Sequence, residues 1–543
     1  MVFARRSTTL LAAIIASCAM VLSLTACTSD NKTVVDGQTT VTSNSAGGVA
    51  VFTPSDGITL NQQTPLNKWA KLVPDLAKAL ADAGFKKGDI NHTTSDSLDK
   101  QSRAIQDFVV DHLSNNTTDD SGIAIAPDNM TLLVAPVVEA DASTRQYGDY
   151  VSQNLSTNDV TDEGATSDGE SSEDDSSKDD SSNTESDSTA SDEQAQAVDR
   201  LVSSLKLAKE SGMHVVLLGN SIKGYKPDAF VKFSDAQTIG KLQAEKMVSK
   251  LKLDKASKDN PKYIEVLLPY TAVDEKGNAN DSTFAQEAFR GIWQVLGSYY
   301  QKGVVESPSG TLDGKSTEND WQAVAYDAAK EGSTAKVLDK RLAKTDGQST
   351  LTRIDGIITM NDYIASEVVK ELDDLGYTGS AADINPQITI SGIVGNITGK
   401  KDLSRDAVPD PIKSPENDNA NDSSSSDDDA DEDTSASDKD RDSQWPLVTG
   451  YGAYVSNIPS IVNGKQWMTG MEDRQTIATD IAQACAKLNK DEALNSMPST
   501  RNSEVGGVKK IPTISEPLLA VSASNLKSAL IDPGYISLAD AGL

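Results

Sequence analysis

Apolar positions change period repeatedly along this chain. Val49-Ala50-Val51-Phe52 is a compact apolar run of strand length, after which Trp69, Leu72, Val73, Leu76, Ala79 and Leu80 recur at helical spacing until Gly84. A weaker strand at 88–94 precedes a second helical face carried by Leu98, Ile105, Phe108, Val109 and Leu113. Residues 122–126 (Gly-Ile-Ala-Ile-Ala) predict a third strand, closed by Pro127-Asp128-Asn129. A helix is expected to start near Thr131 and to resume at 195–209, with a fourth strand at 215–218. The alternation then repeats. Strands are expected at 263–268, 354–360, 388–394 and 447–449, and helices at 284–300, 321–342, 364–375 and 475–488. Such alternation predicts an α/β fold of parallel sheets with helices on both faces, with units enough for two lobes. Ligands of open α/β sheets sit beyond the carboxyl ends of the strands, so two facing lobes make a cleft.

Two polar runs interrupt the pattern. Residues 149–193 hold fifteen acids and one lysine, and residues 401–442 hold fifteen acids and five basic residues; together they carry −24 of the net charge of −31. Both are Ser/Asp-rich and nearly free of apolar residues, too polar to offset the entropy of ordering, and are expected to be disordered insertions at 149–194 and 401–443. Without them the body is mildly acidic. It lacks the basic patch that nucleic acid would demand.

The start of the chain predicts a location. Arg5 and Arg6 precede an apolar run at 10–24, and Leu24-Thr25-Ala26-Cys27 follows the small-residue pattern of a bacterial lipobox. Residues 1–26 are expected to be a lipoprotein signal peptide, with Cys27 diacylated and holding the protein at the outer face of the cytoplasmic membrane without spanning it. Residues 27–47 are expected to be a flexible tether, about twenty residues with a reach of roughly 25 Å. Cys18 leaves with the signal and Cys27 takes the lipid, so Cys485 stands alone and no internal disulfide is expected.

Catalytic constellations do not stand out. His92, His112 and His214 fall in separate elements without metal-ligand spacing, and there is no Gly-x-Ser-x-Gly elbow. Residues 395–400 (Gly-Asn-Ile-Thr-Gly-Lys) imitate a phosphate loop, but Val394 stands where its first glycine belongs and Lys401 where Ser or Thr should follow. The acids at 427–433 lack the glycine and terminal glutamate of an EF-hand. No cofactor, no metal and no enzymatic activity are expected.

Several stretches, taken in order, resemble the sugar-binding lipoproteins of bacterial ABC importers, in the type I periplasmic binding protein superfamily and nearest its xylose and multiple-sugar branch. They are Ile354-Asp355-Gly356-Ile357-Ile358-Thr359-Met360-Asn361-Asp362; the run 233–244 with Asp235, Ile239-Gly240 and Leu242-Gln243-Ala244; Gly464-Lys465-Gln466-Trp467-Met468-Thr469; and Pro517-Leu518-Leu519 through Asn525-Leu526 and Gly534. The resemblance implies two Rossmann-like lobes joined by a hinge: an N-terminal lobe at 48–232, a C-terminal lobe at 233–510 and a closing segment at 511–543 that crosses back over the hinge. It implies capture of one sugar or sugar-like solute by a monomer that delivers it to a membrane permease.

It also implies site residues. Asn361, Asp362 and Asp235 match family positions, and Trp69 matches the aromatic of an Arg-Trp pair whose arginine is here Lys68. The chain departs from the family in having Gly219-Asn220 where Asp-Arg is common and Gly450-Tyr451-Gly452-Ala453 where Gly-Gln-Asp-Ala is common. Glu472 falls near an expected lysine. Asn220 and Tyr451 are therefore candidate replacements, and Trp321 stands where the family often places an aromatic. Each has a plainer reading. Asn361-Asp362 and Asp235 suit helix caps, and the tryptophans suit a core. Two further functions stay open: a ligand-sensing surface receptor of the same fold, and a diverged binding protein with a non-sugar ligand.

Overall fold

A computed structural model describes residues 34–35, 38–39, 46–55, 65–115, 125–138, 144–151, 153–156, 185–273, 280–343, 350–382 and 444–543. Cys27, the expected strand at 388–394 and most of both acidic insertions lie outside these residues. The unit 1–44 contributes one short antiparallel pair, Val34–Val35 with Gln38–Thr39.

The remainder is built on two separate sheets. In the first, β1 (Gly48–Pro54) lies between β2 (Ile90–Ser95) and β3 (Met130–Val134), and β4 (His214–Leu218) and β5 (Ala229–Lys232) follow outward, all parallel. The pleat decides what each residue faces. Val49, Val51, Leu133, Val216 and Leu218 pack under α1 (Trp69–Asp82). Ala50, Phe52, Leu132, Val215 and Leu217 pack under α2 (Leu98–Asn115) and α3 (Glu185–Glu210) on the other face.

After α4 (Ala236–Lys250) the chain builds the second sheet from β6 (Lys262–Val266), β7 (Val305–Glu306), β8 (Gly356–Ile358) and β9 (Leu447–Thr449), in the parallel order β7-β6-β8-β9. One face carries α4 and α5 (Thr283–Gln301), the other α6 (Ser333–Arg341) and α7 (Asp362–Leu375). Helices α4 and α5 cross at backbone contact. A Cβ on Gly291 would lie 2.0 Å from the Gln237 carbonyl oxygen, and one on Gly240 2.2 Å from that of Ala288.

The chain passes between the two halves three times. It leaves the first sheet between β5 and α4 at 233–235. It returns between β10 (Met468–Met471) and α8 (Arg474–Leu488) at 472–473. It leaves again between β12 (Val508–Ser515) and β13 (Leu519–Ser522) at 516–518. Strand β13 pairs antiparallel with β10, while β11 (Thr500–Val505) and β12 form a hairpin on the outer edge of the first sheet, beside β5. No described helix is long and apolar enough to cross a membrane.

The two-lobed parallel α/β architecture agrees with the sequence pattern, and four local expectations are corrected. The third strand is Met130–Val134, not 122–126, and no helix begins at Thr131; all five residues are buried between β1 and β4. The expected helix at 321–342 is a short 3-10 turn at Asp320–Ala323, a two-residue strand at Ala325–Tyr326 and α6, separated at Gly332, whose φ of 68° stops helical continuation. Past Asp149 the buried residues Tyr150 (1% exposed), Val151 and Leu155 continue the packing, and helix α3 already begins at Glu185; with Tyr147 they anchor the flank of the first insertion. Helix α8 and the hairpin belong with the first sheet, because Ile477, Ile481 and Ile514 share its core, so the second lobe does not run unbroken from 233 to 510.

Candidate functional site

The expected contact residues lie on loops that follow strands of the two sheets. Asn361 stands three residues past the end of β8, as the N-cap of α7. Its Oδ1 accepts from the Ile364 amide (2.9 Å) and its Nδ2 donates to Gln146 Oε1 (3.0 Å). The capping role is realised, and the second half of the amide still points across the gap. The residue before it, Met360, holds a φ of 69°, a sparsely populated conformation for a side chain of its size, with its carbonyl accepting from Gln243 Nε2 (2.9 Å).

Asp362 has a different task. It is fully buried, and its carboxylate accepts from Gln466 Nε2 (2.7 Å), the Thr469 hydroxyl (2.9 Å) and the Tyr454 amide (2.9 Å). Burial pushes its pKa up to about 6 against the pull of those donors. Gly450 is small because a Cβ there would lie 2.2 Å from Asp362 Oδ1. Asp362 thus ties α7 to the loop after β9 and to β10, and its acceptor capacity is consumed by protein groups.

Tyr451 follows β9 and is completely buried. Its hydroxyl lies 2.6 Å from Ser234 Oγ and donates to Glu472 Oε1 (3.3 Å), while the Ser234 amide donates to the same Glu472 oxygen (2.6 Å). Ser234 and Glu472 belong to the first and second crossings, so this buried knot fastens two hinge strands together. Burial raises the Glu472 carboxyl to about 7.

On the first lobe, Lys68 is the N-cap of α1 and pairs with Asp149 (2.7 Å), whose other oxygen accepts from the Trp69 amide (3.1 Å). The Trp69 ring is 2% exposed and packs edge-on against Tyr150 (5.0 Å) and Phe233 (5.7 Å). Asn220, after β4, accepts from the Gln153 amide (2.9 Å) and donates to the Pro136 carbonyl (3.0 Å).

A single stretch therefore meets five of the eight expected residues. Residues 144–151 and Gln153 run between the lobes. Gln146 takes Asn361, and its carbonyl accepts from the Tyr454 hydroxyl (2.7 Å). The Tyr147 ring packs against Tyr451 (6.3 Å between centroids) and Phe284 (4.7 Å). Asp149 takes Lys68 and Trp69, Tyr150 stacks on Phe233 (4.8 Å) and donates to the Lys68 carbonyl (2.5 Å), and Gln153 takes Asn220.

The other three expected residues lie apart from this convergence. Asp362 is scaffold. Trp321, in its 3-10 turn, meets Tyr270 edge-on at 5.1 Å. Asp235 caps α4 in a reciprocal box with Thr238 and pairs with Lys232 (2.8 Å); burial works against its charge, but those bonds outweigh it and hold the carboxyl below its usual range. Asp235 also lines an interlobe groove of about 970 Å³. The groove is walled by Gln153, Asn154 and Ser156 on one side, and by Lys232, Phe284 and the β11–β12 hairpin on the others.

Gln146, Tyr147, Tyr150, Tyr454 and Ser234 were not legible as site residues, and Glu472 was marked only as a departure from an expected lysine. The signal available was Gln146-Tyr147-Gly148-Asp149-Tyr150, two aromatics set directly before the acidic run.

No protein-family model matches the chain, and no curated protein matches it. Solved structures do. An ABC transporter solute-binding protein from Clostridium phytofermentans with bound β-D-glucose is 17% identical, over 91% of this chain and 99% of that one, with a TM-score of 0.44. A carbohydrate transporter solute-binding protein from Chloroflexus aurantiacus in complex with D-glucose is 18% identical over 92% and 98%, at 0.42. AraP, an arabinose-binding protein from Geobacillus stearothermophilus, is 9% identical over 89% and 99%, also at 0.42.

Proposed function

We propose that the protein captures a small polyhydroxylated solute, a monosaccharide in the first instance, and presents it to an ABC permease from the outer face of the cytoplasmic membrane. The observation that supports this reading is convergence. Side chains from loops after the strands of two separate sheets, Asn361, Tyr451 and Tyr454 on one and Lys68, Trp69 and Asn220 on the other, meet on one narrow stretch. They are amides, hydroxyls, a cation and aromatic rings, the groups that bind paired hydroxyls and cover a sugar's apolar face. Three crossings between the lobes provide the hinge about which such a protein opens and shuts. The lipid anchor at Cys27, the membrane permease and a monomeric state belong to this reading.

Thermal unfolding against D-glucose, L-arabinose, D-ribose and D-xylose tests it. A ligand at a hundred times its Kd stabilises the fold by about 2.7 kcal/mol, a rise of a few degrees. One sugar raises the melting temperature of the wild type, and the rise shrinks in Asn361→Ala. No rise with any sugar at millimolar concentration refutes the reading. A sensing receptor of the same architecture is separated by uptake. Cells lacking the protein lose accumulation of the labelled sugar if it serves an importer and keep it if it serves as a receptor.

A further inference from the structure

The place where a solute should sit between the lobes is filled by the chain itself. Residues 144–151 and Gln153 make contacts of the kinds a sugar would make. An amide oxygen accepts from Asn361 (3.0 Å), a carbonyl accepts from the Tyr454 hydroxyl (2.7 Å), a ring packs on Tyr451, and a carboxylate meets Lys68 (2.7 Å). We infer that this stretch is a strap acting as a built-in competitor: a solute enters by displacing Gln146 and Tyr147 from Asn361, Tyr451 and Tyr454, so the strap sets the protein's affinity and its selectivity. The inference rests on the solute-capture reading and adds to it a device within the same gap.

Two observations favour a displaceable strap over a permanent wall, against the packing of Tyr147 and Val151 in the core of the second lobe, which displacement must undo. The strap lies beside the open groove of about 970 Å³, whose wall it forms through Thr144, Val151 and Gln153, so there is room for it to move. The groups it covers also remain fixed without it. Asn361 is held by the Ile364 amide, and Tyr451 by Ser234 and Glu472, so the receiving surface survives the strap's departure.

A competitor that occupies the site divides the intrinsic affinity by the fraction of molecules in which the site is free. Gln146→Ala deletes the strap's side-chain bond to Asn361 while leaving that amide available, and is expected to tighten monosaccharide binding about fivefold. Gln146→Ala/Tyr147→Ala is expected to tighten it further, by tenfold or more on the same basis.

Calorimetric titration of D-glucose and the other three sugars into the wild type and both variants reads the affinity, and thermal unfolding without sugar confirms that each variant is folded. A second readout is independent of affinity. In Tyr147→Cys the thiol replaces a side chain that is 1% exposed, and its alkylation, followed at the peptide containing residue 147, is expected to accelerate saturably as sugar is added. Tighter binding by the variants together with sugar-dependent alkylation supports the strap. Sugar binding by the wild type with unchanged alkylation, and equal or weaker affinity in Gln146→Ala, overturns the strap and leaves solute capture standing. No binding by the wild type or by either variant overturns both.

Discussion

Asp362 separates a scaffold from a contact residue, and the two roles predict opposite results. Its carboxylate is fully buried and accepts from Gln466, Thr469 and the Tyr454 amide. Asp362→Ala strands those donors, each at a cost of about 1–3 kcal/mol, and relieves the burial of a charge. Its pKa of about 6 against a reference of 3.8 puts that relief at about 3 kcal/mol at neutral pH. The net loss is expected to be about 2–4 kcal/mol of folding stability. The pH dependence is the sharper test. A carboxyl whose folded pKa is raised stabilises fully below its unfolded pKa and loses that contribution as pH rises through the folded value. The Asp362 contribution therefore falls by about 2.4 kcal/mol between pH 4 and pH 7.5, and Asp362→Asn, which cannot ionise, lacks this slope. Urea unfolding of both proteins at pH 4, 6 and 7.5, followed by tryptophan fluorescence, measures the difference. Asp362→Asn should be most damaging at pH 4 and about 2.4 kcal/mol less so at pH 7.5. A difference that does not change with pH, or an Asp362→Ala protein as stable as the wild type that has lost only sugar binding, refutes the reasoning.

Glu472, raised to about 7 by burial, acts in the same direction over a higher range; Glu472→Gln is expected to remove about 3 kcal/mol of stability loss between pH 4.5 and pH 8, read from the same unfolding series. Arg341→Ala leaves the fully buried Glu265 without its cation and frees the carbonyls of Val266 and Val324, and should cost about 3–5 kcal/mol by urea unfolding. Gly291→Ala drives a methyl into the Gln237 carbonyl where α4 and α5 cross, and should lower stability by about 1–3 kcal/mol, whereas Gly310→Ala, with open space around it but a φ of 69°, should cost only about 1 kcal/mol of backbone strain.

How legible the fold was depended on burial. Strands β1, β4, β8 and β9 carry short apolar runs flanked by amphipathic helices, and periodicity finds them. Strand β3 failed because Met-Thr-Leu-Leu-Val is apolar except for Thr131 and shows no alternation, and such a run does not distinguish a central strand from a buried helix. The hairpin β11–β12 was missed because Thr-Arg-Asn-Ser-Glu-Val is an edge strand with polar residues facing solvent; its signal was the Gly506-Gly507 turn between two alternating runs. The candidate residues could be named from the sequence, but not the connections among them. Asn361, Tyr451, Trp69, Lys68 and Asn220 do converge, yet what joins them is a stretch on the flank of an acidic run, where composition argued for no structure at all. The family resemblance marked Asp362 as a contact, and only the packing of Gln466, Thr469 and Gly450 around it reveals a scaffold.

Titration of D-glucose, L-arabinose, D-ribose and D-xylose into the full chain, in parallel with its Gln146→Ala variant, bears most directly on the idea of a two-lobed body that takes a small polar guest. One sugar should bind saturably at one site per chain, more tightly to the variant. Flat heats for every sugar in both proteins would contradict it.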